Sequence, residues 1–151
     1  MNTQLLPAKP KDAPLLTVIA IASKGYWEYA EKDMISWIPD LVVSEEAIEK
    51  HRVYKLIKGK EVVGFYLLKD SDNGIAILEY LFVLPQFIGK GYGALLLQHA
   101  IQKVKASAMR FIEVLSDPNA EGFYANFGFK KVEEKQSSIP GRFLPLMLLE
   151  V

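Results

Sequence analysis

Three glycines at alternate positions separate an apolar strand from an apolar helix in the middle of the chain. The segment Leu81–Leu97 reads LFVLPQFIGKGYGALLL, and Pro85 ends its strand. The glycines that precede the helix are Gly89, Gly91 and Gly93. Glycine has no Cβ and adopts positive φ, so that several backbone amides can point into one concavity at a helix start, where the helix dipole is positive. The segment therefore predicts a site for a phosphate-bearing cofactor.

Other interpretations of these glycines compete with that one. A Walker loop needs GxxxxGK followed by Ser or Thr, whereas Gly91 follows Lys90 here. A dinucleotide-binding fingerprint needs GxGxxG and an acidic residue about 20 positions later. Gly89, Gly91 and Glu113 imitate that fingerprint, but Ala94 replaces its third glycine. A strand-to-helix turn that binds no ligand is the remaining structural interpretation.

The composition is that of an ordinary globular protein. The chain has 151 residues, of which half are hydrophobic, and 18 basic residues balance 18 acidic ones. This length suits one domain over residues 1–151 with a full core. Because no basic stripe appears, we expect no nucleic-acid partner. Cysteine is absent and there are two histidines, so we expect no metal site and no cysteine nucleophile.

No segment is expected to enter a membrane. The first residues, MNTQLLPAKPKD, lack the apolar core of a signal peptide. No apolar run approaches the roughly 18 residues that a membrane span needs. We therefore expect a cytoplasmic protein without a membrane partner.

The hydrophobic periodicity predicts a mixed α/β fold. The predicted helices are Lys11–Ser23, Ala30–Trp37, Glu45–Lys50, Gly91–Ala106 and Asn119–Phe127. The predicted strands are Thr3–Leu6, Arg52–Lys58, Glu61–Lys69, Ile75–Leu84, Arg110–Ser116, Phe129–Gln136 and Leu146–Val151. Ile75–Leu84 is apolar on both faces, which predicts a central position, with Arg110–Ser116 parallel to it.

Several finer expectations follow from the same pattern. The first helix is expected to bury an apolar face made of Leu15, Val18, Ile19 and Ala22. The second helix is expected to stop at Pro39, and Asn119 is a candidate N-cap. Ser44 is expected to cap the third helix.

Two segments resemble motifs of the GNAT N-acetyltransferase superfamily. VLPQFIGKGYGALLL resembles its acetyl-coenzyme A loop, whose pattern Gln/Arg-x-x-Gly-x-Gly/Ala falls on Ile88–Gly93. PNAEGFYANFGFK, Pro118–Lys130, resembles its Asn-x-x-Ala/Gly…Phe-Tyr-x-x-x-Gly-Phe segment. Two motifs in this order are more specific than either alone. Ile88 departs from the pattern, since the family usually has Gln or Arg there.

The resemblance implies a GNAT-like mixed sheet, mostly antiparallel, with a splayed parallel strand pair and flanking helices. It implies acetyl-coenzyme A as cofactor and an N-acetyltransferase whose partner is a small-molecule or peptide amine. Because no cysteine can carry an acyl group, we expect direct transfer in a ternary complex. The implied cofactor-binding residues are Leu81, Phe82, Val83, Ile88, Gly89, Lys90, Gly91, Tyr92, Gly93, Ala94, Asn119 and Tyr124.

Glu79 and Tyr124 are the candidate catalytic residues. Glu79 shares a face of its predicted strand with Ile77 and Leu81, so its pKa is expected to be raised unless it is paired. Such a carboxyl suits a general base, and a salt-bridged carboxylate at the sheet margin is the alternative. In the resembling family a tyrosine at the position of Tyr124 protonates the departing thiolate. Its alternative is a core tyrosine with a satisfied hydroxyl.

The resemblance is less specific about the residues that contact the acceptor. In the resembling family the region between the first two helices walls the acceptor pocket, although packing also explains its aromatic residues, Tyr26, Trp27, Tyr29 and Trp37. Arg142 is a candidate for holding an acceptor carboxylate, or a solvated loop charge. The alternative function is a non-catalytic acyl-coenzyme A-binding sensor. We expect a monomer or homodimer, with Phe143–Leu149 in the central sheet or in a dimer contact.

Overall fold

The computed structural model describes residues 2–27 and 29–151. Its helices are α1 (Ala13–Gly25), α2 (Glu31–Leu41), α3 (Glu45–Lys50), α4 (Tyr92–Lys105) and α5 (Glu121–Asn126). Its strands are β1 (Thr3–Pro7), β2 (Arg52–Lys58), β3 (Glu61–Asp70), β4 (Ile75–Val83), β5 (Phe111–Leu115), β6 (Lys130–Gln136) and β7 (Phe143–Glu150). Within the described ranges, no helix has the length and apolar character needed to cross a bilayer.

The strands form one mixed sheet in the order β1-β2-β3-β4-β5-β7-β6. β4 and β5 are parallel, with Ile75–Ile77 opposite Phe111–Glu113. The pairs β1–β2, β2–β3, β5–β7 and β6–β7 are antiparallel. The predicted fold class is confirmed, including the central position of β4 and the placement of Phe143–Leu149 in an inner strand.

The residues group into two compact units. The first contains Met1–Leu68 and Tyr80–Ala100, and the second contains Lys69–Glu79 and Ile101–Val151. Fully buried side chains of the first unit include Leu16, Ile19, Leu56, Phe65, Tyr66, Leu96 and Leu97. Buried side chains of the second unit include Ala76, Leu78, Val104, Ile112, Val114, Phe129 and Met147.

The expected buried face of α1 is wrong for most of its residues. Ile19 is buried, but Leu15 is 44% exposed and Val18 is 59% exposed, and Ala22 is only half-buried. The residues that α1 buries are Ala13, Leu16, Ile19, Ala20 and Ser23. Because the helix is apolar on nearly every side, periodicity alone cannot choose which side faces the sheet.

The helices that follow show one correction and one confirmation. α2 continues past Pro39 to Leu41, because Trp37 and Leu41 are both buried and their packing outweighs the one hydrogen bond that proline removes. α3 begins after Ser44 as expected, and Ser44 Oγ accepts a hydrogen bond from Ala47 N at 3.0 Å.

The predicted last helix and the last strand differ from their expected bounds. The predicted helix over Asn119–Phe127 is a 3-10 turn over Pro118–Ala120 followed by the short α5. β7 begins at Phe143 rather than at Leu146. Pro145 has no N–H to donate, but its carbonyl accepts a hydrogen bond from Ser116 N at 2.9 Å, so it still belongs to the strand. The residues that α4 buries include Leu97, Ala100 and Val104, and Ile101 on the same helix is half-buried.

β6 closes one side of the sheet and is exposed along its whole length. Its sequence, KKVEEKQ, alternates blocks of positive and negative charge, and Val132 is 58% exposed. Exposed charge on an edge strand discourages pairing with another chain.

Candidate active site

The glycine-containing turn joins β4 to α4 in the first unit. Leu84 N donates to Val63 O at 2.8 Å, and a 3-10 turn over Pro85–Phe87 follows. Gly89 has φ +83° and Gly91 has φ +87°, a conformation that side-chain-bearing residues rarely adopt. No atom lies within 4 Å of a Cβ built on either glycine. The turn therefore needs glycine for its backbone conformation, and the space beside it is open.

The amides of this turn are oriented by the start of α4. Leu95 N donates to Gly91 O at 3.2 Å, and this is the first backbone hydrogen bond of the helix in the described part of the chain. The amides at the start of α4 precede that bond, so they include the donors that a helix N-terminus leaves without an intrahelical partner. Together with the helix dipole they form a site suited to phosphate oxygens.

Two lysines lie beside the turn. Lys90 Nζ is 5.7 Å from the centre of the Phe87 ring, and Lys58 Nζ is 5.6 Å from the same ring. Lys58 also lies 6.0 Å from the ring of Tyr92, which is almost fully buried. Lys58 was missed in the sequence because it ends a strand more than thirty positions before the turn. The two ammonium groups place positive charge beside the turn, where Ile88 has no polar side chain to offer a phosphate.

Strand β3 approaches β4 closely just before the turn. A Cβ on Gly64 would lie 2.7 Å from Phe82 O and 3.4 Å from Val83 Cα. Gly64 therefore fixes the position of the backbone over Leu81–Val83, the segment implied in cofactor binding. A single glycine inside a strand pattern is a signal of close backbone approach, so this residue could have been found from the sequence.

The segment after β5 is held by a carboxylate of its own. Asp117 Oδ1 accepts from Asn119 N and from Asn119 Nδ2, each at 2.9 Å. Arg142 Nη2 lies 3.5 Å from Asp117 Oδ2, and both side chains are largely buried. The expected cap is corrected: Asp117 caps the turn rather than Asn119, because Pro118 occupies its first position. Arg142 is thus bound to a carboxylate of this chain and is not simply a solvated loop charge.

Tyr124 lies on α5 and is 6% exposed. Its ring packs edge-on against Phe123 and Phe129, with centroid distances of 5.1 and 5.4 Å. Within the described residues, its hydroxyl forms no hydrogen bond. Burial, followed by the negative charge of Asp117, raises the pKa of Tyr124 above its ordinary value. The phenol therefore keeps its proton at neutral pH and can donate it to a ligand.

Glu79 lies on β4 in the second unit and forms an ion pair. Lys69 Nζ is 2.9 Å from Glu79 Oε2, and the two side chains are 39% and 33% exposed. The pairing is the one that the salt-bridge alternative predicted. A partly exposed pair of this kind is screened by solvent and can open when a ligand needs the carboxylate.

The aromatic residues between α1 and α2 already surround a cation of this chain. Lys24 Nζ lies 5.1 Å from the ring centre of Tyr29 and 4.9 Å from that of Trp37. Tyr29 and Trp37 meet edge-on at 4.9 Å, and Tyr26 and Trp27 do the same. Tyr26 and Trp27 are 44% and 41% exposed. The faces that would attract an acceptor ammonium are therefore occupied by Lys24 on two of the four rings.

A comparison of the sequence with models of protein families identifies the family to which these features belong. The model of the acetyltransferase (GNAT) domain matches residues 29–148, which is most of the chain. The chain belongs to the GNAT family. Acetyl-coenzyme A is the cofactor of this family. The GNAT domain match includes both the glycine turn and the segment around Tyr124. No curated protein sequence matches the chain.

Solved structures support the GNAT fold. The PaiA N-acetyltransferase from Thermoplasma acidophilum, in complex with coenzyme A, has a TM-score of 0.83 at 21% identity over 100% of both chains. A GCN5-related N-acetyltransferase from Rhodopseudomonas palustris has a TM-score of 0.83 at 22% identity, over 100% of this chain and 97% of that one. The ribosomal-protein-S18-alanine N-acetyltransferase from Escherichia coli has a TM-score of 0.74 at 19% identity, over 98% of this chain and 93% of that one. Identities this low establish the fold of a GNAT domain.

Proposed function

We propose that this chain transfers an acetyl group from acetyl-coenzyme A directly to a primary amine. One observation carries the proposal within a chain of the GNAT family: Tyr124 is a phenol of 6% exposure whose burial raises its pKa, and it lies within the range that the GNAT domain model matches. A phenol that keeps its proton can act as a general acid. Its protonated hydroxyl is suited to donate a proton to the thiolate that leaves during acyl transfer.

The residues of the glycine turn are proposed to hold the cofactor. The amides of residues 89–94 bind pyrophosphate oxygens, and Lys58 and Lys90 add charge beside them. The backbone of Leu81–Val83 pairs with the pantetheine amides as an added strand would, and Asn119 contacts the pantetheine arm. When bound, acetyl-coenzyme A supplies a thioester activated for acyl transfer.

The catalytic residues are proposed to manage the two protons of the reaction. Glu79, directly or through a water molecule, takes the proton that the amine loses as its nitrogen forms the new bond to the acyl carbon. As the carbon–sulfur bond breaks, Tyr124 Oη donates its proton to the sulfur and regains one from solvent. No residue of the chain becomes covalently acylated, in keeping with the absence of cysteine.

The acceptor is proposed to be a small-molecule or peptide amine. Tyr26, Trp27, Tyr29 and Trp37 are the proposed walls of its pocket. Because Lys24 lies over two of these rings, a strongly cationic acceptor is disfavoured there by charge repulsion. Arg142 is proposed to act on an acceptor carboxylate, in exchange for its contact with Asp117.

A Tyr124→Phe variant tests the catalytic proposal. Loss of the proton donor should lower turnover at saturating acetyl-coenzyme A by about 100-fold, while the dissociation constant for coenzyme A stays nearly the same. The measurement is release of free thiol with a panel of amines that includes an amino acid, a polyamine and a peptide with a free N-terminus. Tyr66→Phe, at a second buried tyrosine, is the matched control and should keep its turnover.

The alternative is a sensor that binds acyl-coenzyme A without catalysis. The engagement of Glu79 by Lys69 and the Ile88 departure from the family pattern favour it. A sensor would bind coenzyme A tightly and release no thiol with any amine of the panel. If the wild type behaves in that way, or if Tyr124→Phe turns over normally, the assignment of Tyr124 as acid is wrong.

A further inference from the structure

The inner strand β4 carries two aromatic side chains on one of its faces, Tyr80 and Phe82, which we call the β4 ring pair. Side chains at alternate positions of a strand point to the same side, and these two rings stack with centroids 5.8 Å apart. Both rings also contact Phe65 on β3, at 6.3 and 6.1 Å. Phe65 is fully buried, whereas the β4 ring pair is only half-buried. The cover over this face of the sheet is therefore incomplete at β4.

The end of helix α2 lies beside these rings. Tyr80 Oη donates a hydrogen bond to the carbonyl oxygen of Asp40, in the last turn of α2. Trp37, which is buried, precedes Asp40 by about one helical turn. The hydrogen bond therefore joins β4 to the helix that carries one proposed wall of the acceptor pocket. Because it also engages the hydroxyl proton of Tyr80, the β4 ring pair presents mainly apolar ring surface to a bound molecule.

The β4 ring pair lies at one end of the segment proposed to bind the cofactor, so the inference rests on the proposed function. The glycine turn follows β4, and the cofactor is proposed to run from that turn back along the backbone of Leu81–Val83. In that order the thioester comes last, at the Tyr80 end of the segment. Alternation places Glu79 on the opposite face of β4 from Tyr80, which favours the water-mediated form of its proposed role.

The charge near α2 indicates which amines fit beside these rings. Lys24 Nζ already lies over the rings of Tyr29 and Trp37, so a second positive charge on the acceptor is repelled there. An acceptor with one amino group and an uncharged body avoids that repulsion. If the body is itself a ring, it gains more from contact with Tyr80 and Phe82 than its buried area alone provides.

We propose that the acceptor is an arylalkyl amine, whose ring packs against Tyr80 and Phe82 while its amino group reaches the thioester. The β4 ring pair is then the specificity-determining feature of the acceptor site. A polyamine is a poor acceptor for the same reasons, because it has no ring and brings a second ammonium group near Lys24.

Binding of amines to the complex with coenzyme A tests the proposal without relying on catalysis. Calorimetric titration should show that phenethylamine binds about fivefold more tightly than its saturated analogue cyclohexylethylamine, and that putrescine binds more weakly than both. Tyr80→Leu keeps an apolar side chain but removes one ring, and should lose the preference for phenethylamine. Phe111→Leu, at a half-buried phenylalanine of β5, is the matched control and should keep it.

Three results would overturn the proposal: a wild type without the preference, a wild type that binds putrescine most tightly, or a Tyr80→Leu variant that keeps the preference. If circular dichroism shows that Tyr80→Leu is unfolded, Phe82→Leu removes the other ring and replaces it in the test.

Thiol release separates this proposal from the proposed function. A chain that binds phenethylamine with the expected preference but releases no thiol supports the amine site and contradicts acetyl transfer. A chain that releases thiol fastest with putrescine supports acetyl transfer and overturns the assignment of an arylalkyl amine.

Discussion

At Tyr124, burial affects both partners of the proposed proton transfer. Removing a phenol from water disfavours its anion, and the charge of Asp117 adds to that effect, so the pKa of the tyrosine is raised. A thiolate in the same dry surroundings would also have a raised pKa, which keeps its affinity for the proton comparable with that of the phenol. A weakly acidic tyrosine is therefore compatible with the role of donor to sulfur.

Replacement of Gly91 by alanine should weaken cofactor binding at the level of a single residue. Its φ of +87° costs an L-residue about 1–2 kcal/mol, so the turn will change shape and its amides will lose their common direction. Gly74→Ala is the matched control, because Gly74 has φ +83° and equally open space but lies in the turn between β3 and β4. Calorimetric titration with coenzyme A should show a lower affinity for Gly91→Ala alone, and equal affinities would contradict the assignment.

At the scale of elements, the strands of the first hairpin were predictable and the buried face of α1 was not. Both strands of the hairpin Arg52–Lys58 and Glu61–Asp70 follow from period-two patterns that end at a glycine turn. The buried side of α1 could not be chosen, since both Leu15 and Leu16 are apolar and only the sheet decides between them. Ion pairs such as Glu79 with Lys69 depend on which residues the sheet brings together, and one sequence does not contain that information.

Gly64→Ala tests the close approach of β3 and β4. Because its Cβ would lie 2.7 Å from a backbone oxygen, one strand must move, at a cost of about 1–3 kcal/mol. Movement at Phe82 should also lower the affinity for coenzyme A. Gly122→Ala, on α5 with no atom within 4 Å of its Cβ, should instead leave the protein as stable or stabilise it by up to about 1 kcal/mol.

Urea unfolding with and without coenzyme A distinguishes these variants. If Gly64→Ala unfolds at the same urea concentration as the wild type, β3 and β4 do not approach each other closely at Gly64 in solution.

For the whole molecule, stability at high pH depends on buried tyrosines. Tyr66 is fully buried, and its hydroxyl lies 2.7 Å from His99 Nδ1. Burial, followed by the neighbouring Tyr54, raises its pKa above the ordinary value. The unfolded chain releases this proton near pH 10 while the folded chain retains it. Stability that is complete below about pH 10 is therefore lost as the pH rises further.

The free energy of unfolding should fall above about pH 10, by up to about 1.4 kcal/mol per pH unit for each such tyrosine. Tyr66→Phe removes one of these groups, so its slope between about pH 10 and 11 should be shallower than that of the wild type. The measurement is urea unfolding at a series of pH values. Tyr26→Phe, at a tyrosine that is 44% exposed, should keep the wild-type slope. A Tyr66→Phe slope identical to the wild type would contradict the assignment.

The charged strand β6 has a consequence for how the protein behaves when concentrated. Because the edge strand β6 carries lysine and glutamate residues, it is a poor partner for a strand of another chain. Fibrillar growth by strand addition is therefore disfavoured at that side of the sheet. Contacts between copies at that side of the sheet should therefore involve side chains rather than backbone hydrogen bonds.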